Sequence, residues 1–258
     1  MMLLDGKATV ITGAASGVGR AAALRFAADG ARVLCADLNA EGAKETARHI
    51  EAAGGSAVPF TVDVASEAEV AAMVAAAVEQ FGRLDVICNN VGIPTPRGGM
   101  AFEDHTLEDY QKLMSVNFGG VFFGSRHAVI QFKRQGTGGV ICNTGSVAGL
   151  VGWGGALYGA TKGAVHQLTR AIAVECAPFG IRANAICPAA MPLTGFMAAG
   201  GLPPAALERA IAGTAAMHPL GRYITAEDCA EAALYLCSDL AKNVTGVLLP
   251  VDGGYVAR

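Results

Sequence analysis

Residues 8–19 run Ala8-Thr9-Val10-Ile11-Thr12-Gly13-Ala14-Ala15-Ser16-Gly17-Val18-Gly19, and the helical pattern Arg20–Ala28 follows directly. Ala8–Thr12 is apolar or β-branched on both parities, as suits a strand covered on both faces. The glycines let the chain turn tightly and let a phosphate approach the backbone. The start of the next helix offers N–H groups and a partial positive charge to an anion. A glycine-rich turn also serves ordinary tight turns. In the order strand, turn, helix it predicts a dinucleotide pyrophosphate site at Gly13, Ser16, Gly17, Val18 and Gly19.

Outward from that turn the alternation repeats. Apolar runs at Arg32–Ala36, Ala57–Val62, Asp85–Asn89, Gly139–Asn143, Ile181–Cys187 and Val247–Val251 alternate with helical pattern near 17–29, 40–53, 66–81, 107–135, 156–177 and 226–238. Asn39, Ser66, Thr106 and Thr225 stand as N-caps ahead of acidic first turns. This pattern predicts an α/β protein, a Rossmann-like doubly wound parallel sheet of about seven strands with helices on both faces. Residues 1–258 are expected to form a single dinucleotide-binding catalytic domain.

The second strand leads to Asp37, 24 residues past Gly13. A carboxylate there accepts from the ribose hydroxyls of an adenosine and repels a 2′-phosphate. Neither Arg nor Lys follows at 38 or 39, so NAD is expected over NADP. An acid at this point also serves as a plain helix cap. One stretch breaks the alternation. Between Cys187 and Thr225 lie Pro188, Pro192, Pro203, Pro204 and Pro219 with Gly195, Gly200, Gly201 and Gly213, and a helical piece at Ala205–Met217. Its apolar content, including Leu193, Phe196, Met197, Leu202, Leu207 and Ile211, predicts a substrate lid over about 188–224.

Composition narrows the class. The chain has 52% hydrophobic and 16% charged residues and a net charge of −3. The charged share lies below the roughly 25% of soluble domains, which suggests surface buried in subunit contacts. No basic stripe points to nucleic acid or an anionic membrane. No apolar run reaches the ~18 residues of a transmembrane helix, and no signal-peptide core is seen at Met1–Lys7. The seven cysteines (Cys35, Cys88, Cys142, Cys176, Cys187, Cys229, Cys237) are dispersed without Cys-x-x-Cys, and the five histidines form no His-x-x-x-His pair. Reduced core thiols, no metal site and a cytoplasmic location are the expectations.

With these motifs in order, the sequence resembles the short-chain dehydrogenase/reductase family over nearly its whole length. The resemblance rests on Thr12 to Gly19, on Asn89-Asn90-Val91-Gly92, on Ser115-Val116-Asn117, on Ser146, on Tyr158-Gly159-Ala160-Thr161-Lys162, and on Pro219-Leu220-Gly221-Arg222 with Val251-Asp252-Gly253-Gly254. It implies that Asn117, Ser146, Tyr158 and Lys162 are catalytic, with Asn117 anchoring a proton-relay water. It implies that Leu38, Asp63, Val64, Asn90, Val91, Gly92, Pro188, Ala189 and Met191 line the cofactor, along with the turn and Asp37. It also implies a homotetramer, or a homodimer, paired through the two long central helices and the C-terminal strand. Three departures predict a reshaped pocket rim: Pro188-Ala189 where the family usually has Pro-Gly, Thr194 one place later than the usual threonine, and a Ser146–Tyr158 spacing one residue short.

These residue types suit hydride transfer between a secondary alcohol and a cofactor. The reaction needs a group that gives a proton to, or takes one from, the substrate oxygen. Tyrosine ordinarily titrates near about 10, and a nearby ammonium stabilises its phenolate. Tyr158 and Lys162 are four apart in a helical stretch and share a face. Such a pair on a helix is commonly a surface pair, and a serine after a strand is commonly a turn residue. Together behind a dinucleotide turn they predict acid/base catalysis. Lys162 is further expected to hold the nicotinamide ribose. The apolar candidates Ile93, Trp153, Leu157, Ala190, Met191, Phe196 and Met197 predict a hydrophobic or cyclic, steroid- or terpene-like substrate. Arg97 and His105 are the polar exceptions. Two alternatives remain: an NADPH-dependent 3-oxoacyl thioester reductase, and a non-catalytic NAD-sensing module.

Overall fold

The run Ala8–Thr12 forms β1 and is buried at all five positions, because helices cover both faces of the sheet at its centre. A computed structural model describes residues 2–95, 101–194 and 204–258. Seven strands pair in the order β3-β2-β1-β4-β5-β6-β7, all parallel. The others are β2 (Arg32–Asp37), β3 (Ser56–Thr61), β4 (Val86–Asn89), β5 (Gly139–Thr144), β6 (Ile181–Pro188) and β7 (Leu248–Val251). The helices are α1 (Gly17–Ala28), α2 (Ala40–Ala52), α3 (Glu67–Phe81), α4 (Leu107–Leu113), α5 (Gly120–Gln135), α6 (Ala156–Glu175), α7 (Pro204–Met217) and α8 (Ala226–Cys237). The chain winds outward from β1 to β3, then crosses to β4 and winds the other way. The expected doubly wound α/β architecture is the one observed.

Strand parity sorts the core into two layers. Ile11, Cys35, Cys88, Cys142 and Ile186 pack with residues of α1, α2 and α8. Val10, Leu34, Ile87, Ile141 and Ala183 pack with α3, α5 and the end of α6. The edge strands depart from the two-faced pattern. β3 is exposed at Ser56, Pro59 and Thr61, and β7 is half-buried at Leu248, Leu249 and Val251 with Pro250 exposed, since an edge has fewer helices to cover it. All seven cysteines are free and buried. Cys88, Cys142 and Cys237, far apart in sequence, bring their thiols within 4.8 Å of one another beneath α8.

Asn39 and Ser66 cap α2 and α3, and Thr106 and Thr225 form capping boxes on α4 and α8. The helix expected over 107–135 is interrupted. Met114–Gly119 is a π-helical stretch, with Asn117 fully buried inside it. The helix expected to reach 177 stops at Glu175, and Pro178 sits in a 3₁₀ turn before Gly180 turns left-handed. The two C-terminal motifs meet in space: Leu220 N–H donates to the Gly253 carbonyl at 3.1 Å.

A buried polar ladder ties α5 and α6 to the centre of the sheet. Asn89 Nδ2 donates to Ser125 Oγ (3.2 Å) and Asn143 Oδ1 (2.9 Å), and Asn143 Nδ2 donates to Thr169 Oγ1 (2.9 Å). Such a network holds one arrangement when satisfied and is costly when broken. Asn143→Leu should leave an Asn89 N–H unpaired and destabilise the fold by about 2 kcal/mol. Urea unfolding should then show a lower midpoint with an unchanged slope.

Candidate active site

Because every strand runs the same way, Thr12, Asp37, Asn89, Thr144 and Pro188 all emerge at one edge of the sheet. A cleft of about 660 Å³ lies along it, centred where the winding reverses between β1 and β4. This is where an open α/β sheet binds ligands.

One half of the cleft is built for an anionic dinucleotide. Gly13 and Gly17 have positive φ (72° and 52°), conformations that favour glycine. A Cβ on Gly19 would sit 2.1 Å from the Gly13 carbonyl oxygen, so only glycine lets α1 start so close under the turn. α2, α3, α4 and α8 carry side-chain caps and acidic first turns; α1 has neither. Its N–H groups and dipole therefore face the cleft uncompensated, which fits a pyrophosphate. Gly13, Ser16, Gly17, Val18, Asp37 and Leu38 line this half, with Asp63 and Val64 beside them. Gly19 lies beneath the turn. Both Asp37 oxygens are engaged by backbone: Oδ2 accepts from Ala15 N–H at 2.9 Å and Oδ1 from Asn39 N–H at 2.8 Å. The acid thus fastens the glycine turn to the end of β2 while lining the cleft.

The other half brings Ser146, Tyr158 and Lys162 together. Asn90, Val91, Gly92 and Ile93 enter from β4, Ser146 from β5, Tyr158 and Lys162 from α6, and Pro188, Ala189, Ala190, Met191 and Thr194 from β6 and beyond. Tyr158 is 8% exposed and Lys162 2%. Ser146 and Tyr158 are hydrogen-bonded through their side chains. Lys162 Nζ donates to the Thr144 carbonyl at 2.8 Å and lies 5.8 Å from the centre of the Tyr158 ring. Asn117 does not line the cleft. Its amide pins the loop after β4, accepting from Ile93 N–H (2.8 Å) and donating to the Ile93 carbonyl (3.0 Å) and Thr161 Oγ1 (3.3 Å).

Without the cofactor's charge, the tyrosine pKa stands above its ordinary value. Burial pushes the Tyr158 phenol up to about 12, and the Ser146 hydrogen bond acts the other way. The same burial brings Lys162 down to about 8. In this state Tyr158 is a proton donor rather than a base.

Other expectations divide. Trp153 lines the cleft, and its ring packs edge-on against Tyr255 at 6.0 Å. Leu157 does not line it: one residue before Tyr158 on a helix, it points about 100° away. His105 is not among the lining residues either. Arg97, Phe196, Met197 and Leu202 lie outside the described residues. Sequence reasoning missed Val62, Pro94, Lys112, Val116, Thr144 and Gly145, all on the cleft wall. Thr144 had a signal, as the last residue of a strand. Lys112, on an exposed helical turn, had none.

The profile of the family described as enoyl-(acyl carrier protein) reductase, a short-chain dehydrogenase/reductase family, matches residues 13–256. The chain belongs to the short-chain dehydrogenase/reductase family. It is 40% identical over 255 residues to a 2,5-dichloro-2,5-cyclohexadiene-1,4-diol dehydrogenase of Sphingobium indicum, covering 98% of this chain and 97% of that one. It is likewise 40% identical to 3beta-hydroxysteroid dehydrogenase 1 of Eggerthella lenta, over 97% of this chain and 94% of that one. The solved structure of levodione reductase superposes with a TM-score of 0.91 at 35% identity, covering 98% of this chain and 99% of that one. As a short-chain dehydrogenase the protein is an oxidoreductase of CH–OH groups that uses a nicotinamide cofactor. No helix among the described residues is long and apolar enough to cross a membrane.

The buried lysine makes a test of this geometry. Its folded pKa of about 8 lies below the ordinary 10.5. The unfolded chain thus binds more protons between these values, and stability rises with pH across that window. Below it, the enclosed ammonium costs about 3 kcal/mol. Lys162→Met removes that cost and loses a hydrogen bond worth about 1 kcal/mol. The variant should be more stable than the parent by about 2 kcal/mol at pH 7, an advantage that fades towards pH 10.5, as read by urea unfolding.

Proposed function

We propose that this protein is an NAD-dependent dehydrogenase that interconverts a hydrophobic, cyclic secondary alcohol and its ketone. The observation that carries this reading is the Ser146–Tyr158 hydrogen bond beside the buried Lys162, in the same cleft as the open N-terminus of α1. The cofactor, when bound, supplies or accepts the hydride. Ser146 Oγ holds the substrate oxygen against the Tyr158 hydroxyl, and in ketone reduction that hydroxyl gives its proton to the oxygen. In alcohol oxidation Tyr158 takes the proton, which requires its high pKa to be brought down by the positive charge of the oxidised nicotinamide together with Lys162. Lys162 also holds the nicotinamide ribose, and Asn117 anchors a water that passes protons on. Thr194, next to Gly17, contacts the cofactor from the β6 side.

Asp37 at the cleft, followed by Leu38 and Asn39, supports NAD over NADP. Ile93, Trp153, Ala190 and Met191 give an apolar wall, and two relatives act, by name, on ring alcohols. The segment 188–224 serves as the substrate lid: its start lines the cleft and its helix α7 follows. Phe122, Ile130 and Val174 expose apolar surface on α5 and α6, which supports pairing into a tetramer through these helices. Seven free thiols suit a reducing, cytoplasmic setting. The family description also names acyl-carrier chemistry, and a thioester reductase is the second reading; Asp37 weighs against its NADPH-linked form.

The test is a rate screen with cyclohexanol, a 3β-hydroxysteroid and lactate, each with NAD and with NADP. Turnover of the ring alcohols with NAD is expected. Turnover mainly with NADP would reverse the Asp37 argument, and tight NAD binding without turnover would favour a sensing module. Tyr158→Phe should lower kcat by about 10²–10⁴-fold while NAD binding is retained.

A further inference from the structure

One buried titratable residue has no part in the mechanism above. His166 lies on α6, one helical turn past Lys162 and two past Tyr158, and is 2% exposed. Its Nε2 is 3.4 Å from the Ser146 backbone nitrogen and 3.3 Å from Cys187 Sγ. The two glycines around Ser146 fit this ring. A Cβ on Gly145 would come 2.4 Å from Nε2, and one on Gly149 would come 2.6 Å from Cε1. The turn that carries Ser146 is thus moulded on the imidazole. Burial holds the ring pKa down at about 4, with Lys162 and Arg170 also opposing protonation. The ring is therefore neutral at working pH, and the Ser146 N–H is directed at Nε2.

We infer that His166 is a positioning residue, whose Nε2 accepts the Ser146 N–H and so fixes the serine hydroxyl against Tyr158. The inference rests on the roles given above to Ser146 and Tyr158. The hydroxyl that meets Tyr158 accepts from Ala148 N–H at 3.1 Å and stands 3.5 Å from the Pro188 carbonyl. All of these contacts depend on where the Ser146 backbone sits, and His166 Nε2 faces that backbone N–H. Because His166 shares α6 with Tyr158 and Lys162, one rigid element sets the acid/base and seats the loop of its partner. A misplacement of about 1 Å at such a contact costs on the order of a hundredfold in rate.

A double-mutant cycle tests this. His166→Leu keeps bulk and removes the acceptor; His166→Gln restores an acceptor near the Nε2 position. Each is made alone and with Ser146→Ala, and kcat is measured with NAD and the fastest alcohol of the screen, alongside the NAD dissociation constant. His166→Leu should lower kcat about 10- to 100-fold with NAD affinity unchanged, His166→Gln should recover most of the loss, and the leucine should add little once Ser146 is alanine. An equal loss in both backgrounds, or no loss with leucine, overturns the inference and leaves the catalytic reading standing. Full turnover by Ser146→Ala alone overturns the serine's role, and this inference with it.

Discussion

Lys162 stays inside the protein because the Thr144 carbonyl, at the end of β5, accepts from its Nζ at 2.8 Å. An isolated buried ammonium is expensive, and it persists only where fixed dipoles replace its water. That requirement constrains everything around it. β5 must end at the cleft, α6 must cross its tip, and the loop after β4 must close the remaining side without adding bulk. The loop does so at Gly92, where a Cβ would come within 3.3 Å of Nζ.

The π-helical stretch at Met114–Gly119 belongs to the same arrangement. A widened turn of this kind commonly marks a functional site, since it re-aims a side chain that a regular helix would send elsewhere. Here it delivers Asn117 inward, and the asparagine binds both the N–H and the carbonyl of Ile93 much as a neighbouring strand would. The segment leaving β4 is thereby held at the cleft without a further strand.

Most of the architecture was legible in the sequence because it follows from local rules. The glycine turn, the two-faced strands and the caps at Asn39, Ser66, Thr106 and Thr225 each depend on residues a few positions apart. The site residues were legible as motifs for the same reason. What escaped depends on depth and on distant pairing. No spacing tells how far Tyr158 and Lys162 are desolvated. No pattern announces that His166 meets Ser146, that Tyr255 backs Trp153, or that thiols from 88, 142 and 237 converge. Leu157 was misassigned because adjacency in sequence to Tyr158 is not adjacency on a helix face.

The reversal of winding between β1 and β4 divides the cleft by chain order. The lining groups from Gly13 to Val64 come from the first quarter of the sequence, and the others from Asn90 onward. The two sets meet across the β1–β4 seam, where Asn90 donates to the Thr12 carbonyl at 3.2 Å. On the proposed function, cofactor choice and substrate choice are thus written in separate stretches of sequence that share one hydrogen-bonded border. Variation in either stretch can drift, or be exchanged by recombination, without rewriting the other, provided the border is kept.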